Sequence, residues 1–383
     1  MRNKTSVTLV AAALALLVGK AAAVPYSFTN IANTSGSSGL FSSLAEPALN
    51  NRGVVAFLAD LKTGGQGIFS GSGGPITTLY DNSGPFNALR SPSFNDSNTV
   101  AFHGLLDTGE EGIYTGSGGP TTTIAETSGP FFIVLNPSLN DSGTVAFNGL
   151  LDTFVHGVFT GSGGPITTIA DSSGLFFSTF SDPSLNNSGT VAFRAGLSTE
   201  DTGIFVSTGG LTTTIADGSG PFHHLLAPSL NNSGTVAFLG INFSPNDEAM
   251  LTGNGGPTTT IADNAGLFNN FGSDPSLNNS GTVAFRALLK TGGEGIFTGP
   301  NPLTDEVIGF GDTLFGSTVT ALFMYRESLN DAGQIAFEYA LADGRAGIAR
   351  ADPLVIPAPE PGTLILFVAG LLGAVLWRKG KST

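Results

Sequence analysis

Residues 182–193 read Asp182-Pro183-Ser184-Leu185-Asn186-Asn187-Ser188-Gly189-Thr190-Val191-Ala192-Phe193. Asn at the first turn position and Gly at the fourth suit a type I turn closed by a left-handed residue. Glycine takes that conformation at little steric cost. Thr190 to Phe193 then read as a strand, being β-branched and apolar. The stretch therefore predicts a turn that launches a strand, with the core Asn-x-x-Gly-x-x-Ala-Phe.

That core recurs along the chain. It begins at Asn50 with Gly53, Asn95 with Asn98, Asn140 with Gly143, Asn186 with Gly189, Asn231 with Gly234, Asn278 with Gly281 and Asn330 with Gly333. The spacings are 45, 45, 46, 45, 47 and 52 residues. Asn98 stands where the other copies have Gly, and Asn is the non-Gly residue best suited to a left-handed position. The shared constraint is thus read as turn geometry.

Each period continues in the same way. A second strand follows, as Gly67-Ile68-Phe69, Gly112-Ile113-Tyr114, Gly157-Val158-Phe159, Gly203-Ile204-Phe205 or Gly295-Ile296-Phe297, with Ala249-Met250-Leu251 in the fifth unit. A Gly-rich hairpin turn such as Gly71-Ser72-Gly73-Gly74-Pro75 leads to a Thr- and Ile-rich third strand. A turn ending in Phe and a short fourth strand lead to the next Pro-Ser-Leu-Asn. Four antiparallel strands in about 45 residues predict a β-propeller blade. A β-solenoid is the rival, but its coils are shorter, at about 20–30 residues.

The ends favour the ring. Phe28-Thr29-Asn30-Ile31-Ala32-Asn33 matches the third strand Ile166-Thr167-Thr168-Ile169-Ala170-Asp171, while Gly347-Ile348-Ala349 is a second strand with no third behind it. The expectation is an all-β, seven-bladed propeller over residues 24–352, whose terminal strands share one blade and remove the sheet edges. In the sixth unit, Gly299 to Gly309 reads as a degenerate blade with a longer loop.

The repeat resembles the family described as tandem NxxGxxAF-repeat proteins, over nearly all of residues 24–350. That name implies a pattern and no activity. The Pro-Ser-Leu-Asn-Asn-Ser-Gly-Thr-Val-Ala-Phe segment also resembles part of a TolB-type propeller repeat.

The termini read as addresses. Arg2 and Lys4 precede an apolar run from Val7 to Val18 and then Ala21-Ala22-Ala23. This predicts a signal peptide over residues 1–23, cut by signal peptidase; an uncleaved anchor is the alternative. Residues 353–361 form a Pro-rich linker, and residues 362–383 a transmembrane segment with a basic tail. The apolar run Thr363–Trp377 would reach only about 22 Å as a helix, short of a typical bilayer core. Pro359, Glu360 and Pro361, that span, and Arg378, Lys379 and Lys381 together resemble the PEP-CTERM sorting signal of Gram-negative bacteria, although Gly380 interrupts the basic cluster. The resemblance implies an exosortase as processing partner, with release or transfer to the cell surface or extracellular matrix. A plain single-pass anchor is the alternative.

Composition excludes several chemistries. The 383 residues include no Cys, so disulfides, thiolate catalysis and Cys-ligated zinc are out. Between residues 24 and 358 there are nine basic and 28 acidic residues, a net of −19. Such a surface repels nucleic acid. The third strands end in Asn33, Asp81, Glu126, Asp171, Asp217 and Asp263. Such oxygens on one face of a ring are the type that Ca2+ takes, but a turn acid bonding its own backbone explains them better. No other cofactor is indicated. His103, His156, His223 and His224 share no repeated position. Glu110-Glu111, Glu200-Asp201, Asp247-Glu248 and Glu294 recur before the second strand and read as solvated surface. Arg194 and Arg286 share one repeat position. No catalytic, cofactor or metal residue is assigned.

The expected function is a non-catalytic surface or matrix module, with exopolysaccharide as the candidate ligand. The competing expectations are a polysaccharide-cleaving enzyme with its site at the propeller axis, and a spacer with no ligand. An odd residue set confined to one blade would favour the enzyme, and unit five, with Asp247 and His223-His224, holds the only hints of one.

Overall fold

A computed structural model describes residues 25–35, 39–197, 202–243 and 246–354. These residues form strands and no helix. Seven antiparallel sheets follow one another along the chain, each with the strand order expected of a blade. Blade one is typical: Phe41–Leu49, Val55–Leu61, Gln66–Gly71 and Thr77–Asp81, paired in that order. The chain is a seven-bladed β-propeller.

The innermost strand of each blade is the one expected to be short. In blades one to four it is in fact the longest, at nine residues. Its polar, Pro-containing sequence hides it, because it lines the axis and carries a bulge. Glu46, Ser91, Asn136 and Ala227 have φ of 52°, 50°, 50° and 36°, each just before a Pro. There the register slips, as between Ala45 and Ala48. A bulge suits Pro, which has no N–H for the ladder.

The Asn turn forms as expected. Gly189 N donates to Asn186 O at 3.1 Å, and Gly189 has φ of 83°. Asn98 takes φ of 58° in the same place.

Aromatic rings fill the spaces within blades. In blade three, Phe131 stands edge-on to Phe147 and Phe159, with centroids 5.5 and 5.1 Å away. Phe159 covers Gly157, two residues earlier on the same face. A Cβ on Gly157 would lie 2.7 Å from Ala170 O and 2.9 Å from the Phe159 ring. Blade five has Ala249 at this position, and there the ring is replaced by the smaller Leu251.

The circle closes as the termini indicate. Tyr26–Asn33 pairs antiparallel with Ala346–Pro353 as the outer strand of blade seven. In blade six, Glu306–Gly309 completes the sheet beside Glu294–Phe297. The extra length lies in the loop closed by Thr298 N to Asp305 O, and in the small hairpin of Thr313–Leu314 with Ser317–Phe323. The regions assigned to the signal peptide and to the transmembrane segment with its basic tail lie outside the described residues. Among the described residues no helix is long and apolar enough to cross a membrane.

Candidate functional site

The axial channel has two mouths. At one, which we call the ring face, the seven Asn turns meet. Asn186 Oδ1 accepts from the N–H groups of Ser188 and Thr190 in its own turn, at 3.1 and 2.9 Å. Its Nδ2 donates to Asn231 O of the next blade at 3.1 Å. The same inter-blade bond runs from Asn50 to Asn95, Asn95 to Asn140, Asn140 to Asn186, Asn231 to Asn278, Asn278 to Asn330, and Asn330 back to Asn50. The circle has no break. Asn therefore does more than shape a turn: Asp could accept the turn N–H groups but could not donate across the blade boundary.

A second, exposed ring lies outside it. Asn187 N donates to Asn232 Oδ1 at 2.9 Å, and the pattern repeats around the mouth to Asp331 N on Asn51 Oδ1. Its acids are flanked by amides: Asn51, Asn187 and Asn279 donate through Nδ2 to Asp96, Asp141 and Asp331.

Below the rings, Ser hydroxyls link inner strands. Leu139 N donates to Ser93 Oγ at 2.8 Å, and Leu185, Leu230, Leu277 and Leu329 do the same to Ser138, Ser184, Ser229 and Ser276. Two links are missing. Blade one has Ala48 in place of Ser, and Ser328 of blade seven turns its hydroxyl to Tyr325 N. Glu327 supplies both absent acceptors. Its carbonyl takes Leu49 N at 2.8 Å, and its carboxylate takes Phe94 N at 3.3 Å and Ser93 Oγ at 2.8 Å. Glu327 occupies the position that is Pro in the other six blades. Its neighbour Arg326 reaches across the axis to Pro183 O of blade four at 2.8 Å. Burial pushes the Glu327 carboxyl above the usual range, while the Ser93 hydroxyl and Arg326 act against that shift.

The odd residue set thus lies in blade seven and not in blade five, where the sequence places its hints. The signal was a broken Pro two residues before Leu329. His223 and Asp247 of blade five are exposed instead.

The opposite mouth, the open face, is a cavity of about 160 Å³ whose lining includes Glu46, Ser91, Asn136, Asp274, Tyr325 and Arg326. Glu46 Oε2 accepts from Ser91 N at 2.7 Å, and Tyr325 donates to Glu338 Oε2 at 3.1 Å. Burial, with the Glu46 charge, raises the Glu338 carboxyl, and the Tyr325 hydroxyl opposes this.

The third-strand acids behave as turn acids. Asp81, Asp171 and Asp217 accept their own Ser N–H at 3.0, 2.9 and 3.0 Å. Among the described residues no group of three or more His, Asp or Glu is placed to hold a metal ion. The acids before the second strand are not all solvated. Glu248 is only 5% exposed and bonds Asn270 Nδ2 and Phe271 N of the next blade. Glu111 bonds the buried His103, whose pKa burial lowers. Glu294 pairs with Arg286 at 2.6 Å.

The described fold and the sequence at its C-terminal end define a class: a propeller carrying an export signal. Residues 357–381 match the PEP-CTERM protein-sorting motif. This motif implies export in a Gram-negative bacterium, a membrane-anchored intermediate with a C-terminal membrane segment, and processing by an exosortase. The chain belongs to the Family of unknown function (DUF7453), whose model matches residues 29–163 and 70–323. The two matches overlap, as a repeated unit allows; the tandem-repeat family named from the pattern is not the description this model carries. No curated protein matches in sequence.

Two solved structures of peptidases share the fold. A prolyl endopeptidase superposes with a TM-score of 0.54 at 12% identity, covering 83% of this chain and 51% of its own. A Mycobacterium tuberculosis puromycin-hydrolyzing peptidase gives 0.55 at 13%, covering 87% and 56%. The chain spans about half the length of these two peptidases, and at such identities the likeness is one of fold. YCF48 from Cyanidioschyzon merolae gives 0.45 at 9%, covering 85% and 99%.

Proposed function

We propose that this exosortase-processed protein is a non-catalytic module of the cell surface or matrix that binds exopolysaccharide. The observation that carries this reading is the use made of the unusual axial residues. Glu327 bonds three groups of blades one and two, and Arg326 bonds blade four. A glycan hydrolase needs a carboxylate pair about 5–10 Å apart with room for substrate between them. Here the buried axial carboxylate acts as a fastener. The net charge disfavours polyanions such as nucleic acid. The sorting motif supports delivery to where exopolysaccharides lie.

The test is made on producing cells. Enzymatic removal of the exopolysaccharide should release the protein from the cell surface into the medium. Retention on stripped cells, at the level of untreated ones, would count against the reading.

A further inference from the structure

The open face is not uniform around the ring. In blades three and four it carries Phe132, Phe154, Leu175 and Phe177, which are 60%, 77%, 87% and 62% exposed. The three Phe replace residues that the repeat supplies elsewhere. Phe132 and Phe177 follow the first inner-strand aromatic, where blades one, two and six have Ser42, Asn87 and Asn269. Leu175 shares its position with Leu40 and Leu267 of blades one and six, which are 48% and 53% exposed.

Phe154 is the sharpest case. It occupies the hairpin position filled by Gly64, Gly109, Gly292 and Gly344, whose φ values are 88°, 99°, 81° and 87°. Phe154 keeps φ of 63° and makes the same turn bond, its N–H to Leu151 O at 2.8 Å. A bulky side chain in the left-handed region is strained, and such strain concentrates at functional sites. An exposed ring held at that cost by a position that otherwise prefers Gly points to a ligand.

The patch is flanked by carboxylates. Asp152 is in the Phe154 hairpin, tied to the blade connection by its N–H on Pro130 O at 3.0 Å. Asp171 opens the turn that leads to Leu175 and Phe177, and Glu126 and Asp217 hold the same position in the neighbouring blades. The described chain ends on the other side: Leu354 N bonds Pro25 O, and Pro353 lies beside Gly333 of the Asn turn. The described chain thus ends on the ring-face side, and the aromatic patch is on the side away from that end.

We propose that this patch is the contact surface for a polysaccharide bearing amino sugars. The inference rests on the polysaccharide-binding reading and gives it a place and a chemistry. Ammonium groups are attracted to aromatic faces and to carboxylates, and the apolar faces of sugar rings cover exposed Phe. Uronate or phosphate polymers meet the repulsion of Asp152 and Asp171.

The test replaces the patch by what other blades carry: Phe132→Ser, Phe154→Gly and Phe177→Asn together, in the full chain. Binding of glucosamine oligomers, their N-acetylated counterparts and mannuronate oligomers is measured beside the host's own exopolysaccharide. Wild type should prefer the glucosamine oligomer, and the triple variant should bind it and the host polymer about tenfold more weakly. The Tm of Phe154→Gly alone should not fall, because the strained position is relieved, which separates a functional ring from a structural one. Unchanged binding in the triple variant overturns this surface while leaving the polysaccharide reading intact. Preference for the N-acetylated or mannuronate oligomer overturns the ammonium chemistry. Self-association lost in the triple variant assigns the patch to a second copy and overturns the proposal. Wild type that binds none of the polymers overturns both readings.

Discussion

The side-chain amide of Asn330 donates to the backbone carbonyl of Asn50, 3.0 Å away and 280 residues earlier in the chain. This one bond completes a circle whose other six members are neighbours along the sequence. The ring is closed a second time at the rim, where Tyr26–Asn33 joins Ala346–Pro353. A structure fastened at axis and rim resists opening at the boundary between blade seven and blade one.

The Asn ring should therefore be worth more than a turn. Replacing Asn186 by Ala removes three accepted bonds and one donated bond in a buried site. The expected loss is about 2–4 kcal/mol, since each buried bond and each orphaned partner contributes. Asn187→Ala, in the exposed outer ring, should cost about 1 kcal/mol or less. Urea unfolding of the two variants gives the comparison.

The Gly–Phe pairing predicts a rescue. Gly157→Ala should destabilise the protein by about 1–3 kcal/mol through overpacking against Phe159 and Ala170 O. Adding Phe159→Leu copies the Ala249–Leu251 arrangement of blade five and should recover part of the loss. A double-mutant cycle reads the coupling between the two sites.

Glu327 predicts a pH dependence of known sign. Burial raises its carboxyl above the ordinary glutamate value of about 4.5. A raised acid binds its proton more tightly in the folded state, so its contribution to stability is present below pH 4.5 and is lost as pH rises through the folded pKa. Other acids contribute with the opposite sign; Asp352 is lowered, mainly by its Arg350 and Thr29 partners acting against burial. The difference between wild type and Glu327→Gln isolates the axial group. The stability of wild type relative to that variant should fall as pH is raised from 4 to 8. A flat difference would mean that the carboxyl titrates normally.

Removing the N-terminal outer strand should open the sheet edge. Without residues 25–35, Ala346–Pro353 loses its partner along its length, including the Thr29 hydroxyl on Asp352 at 2.8 Å. An unpaired edge invites pairing with another chain. Light scattering after size exclusion should find oligomers for the truncated chain and fewer for the intact one.

Much of the architecture was legible because it is repeated. A constraint copied seven times at Asn50, Asn95 and their equivalents stands out, and Asn98 identified the left-handed position that its φ of 58° bears out. The half-units at Phe28 and Gly347 named the closure. What was hidden depends on neighbours outside the unit. The inner strand lacks alternation because its bulge and Pro break the ladder. The amide of Asn186 is needed for an atom 45 residues away. Glu248 looked solvated beside Asp247, yet it faces the next blade. Glu327 is a single departure from a repeat and Phe154 the one aromatic at a position that is mostly Gly, and their meaning appears only when the missing Pro and Gly are placed in space.

The central claim is that the protein binds its polymer without cutting it. The most direct measurement mixes purified protein with the host's own exopolysaccharide and follows bound protein and polymer mass together by light scattering. Saturable binding with an unchanged mass distribution is the predicted result. A polymer that shortens with time would contradict the account and assign the propeller to catalysis.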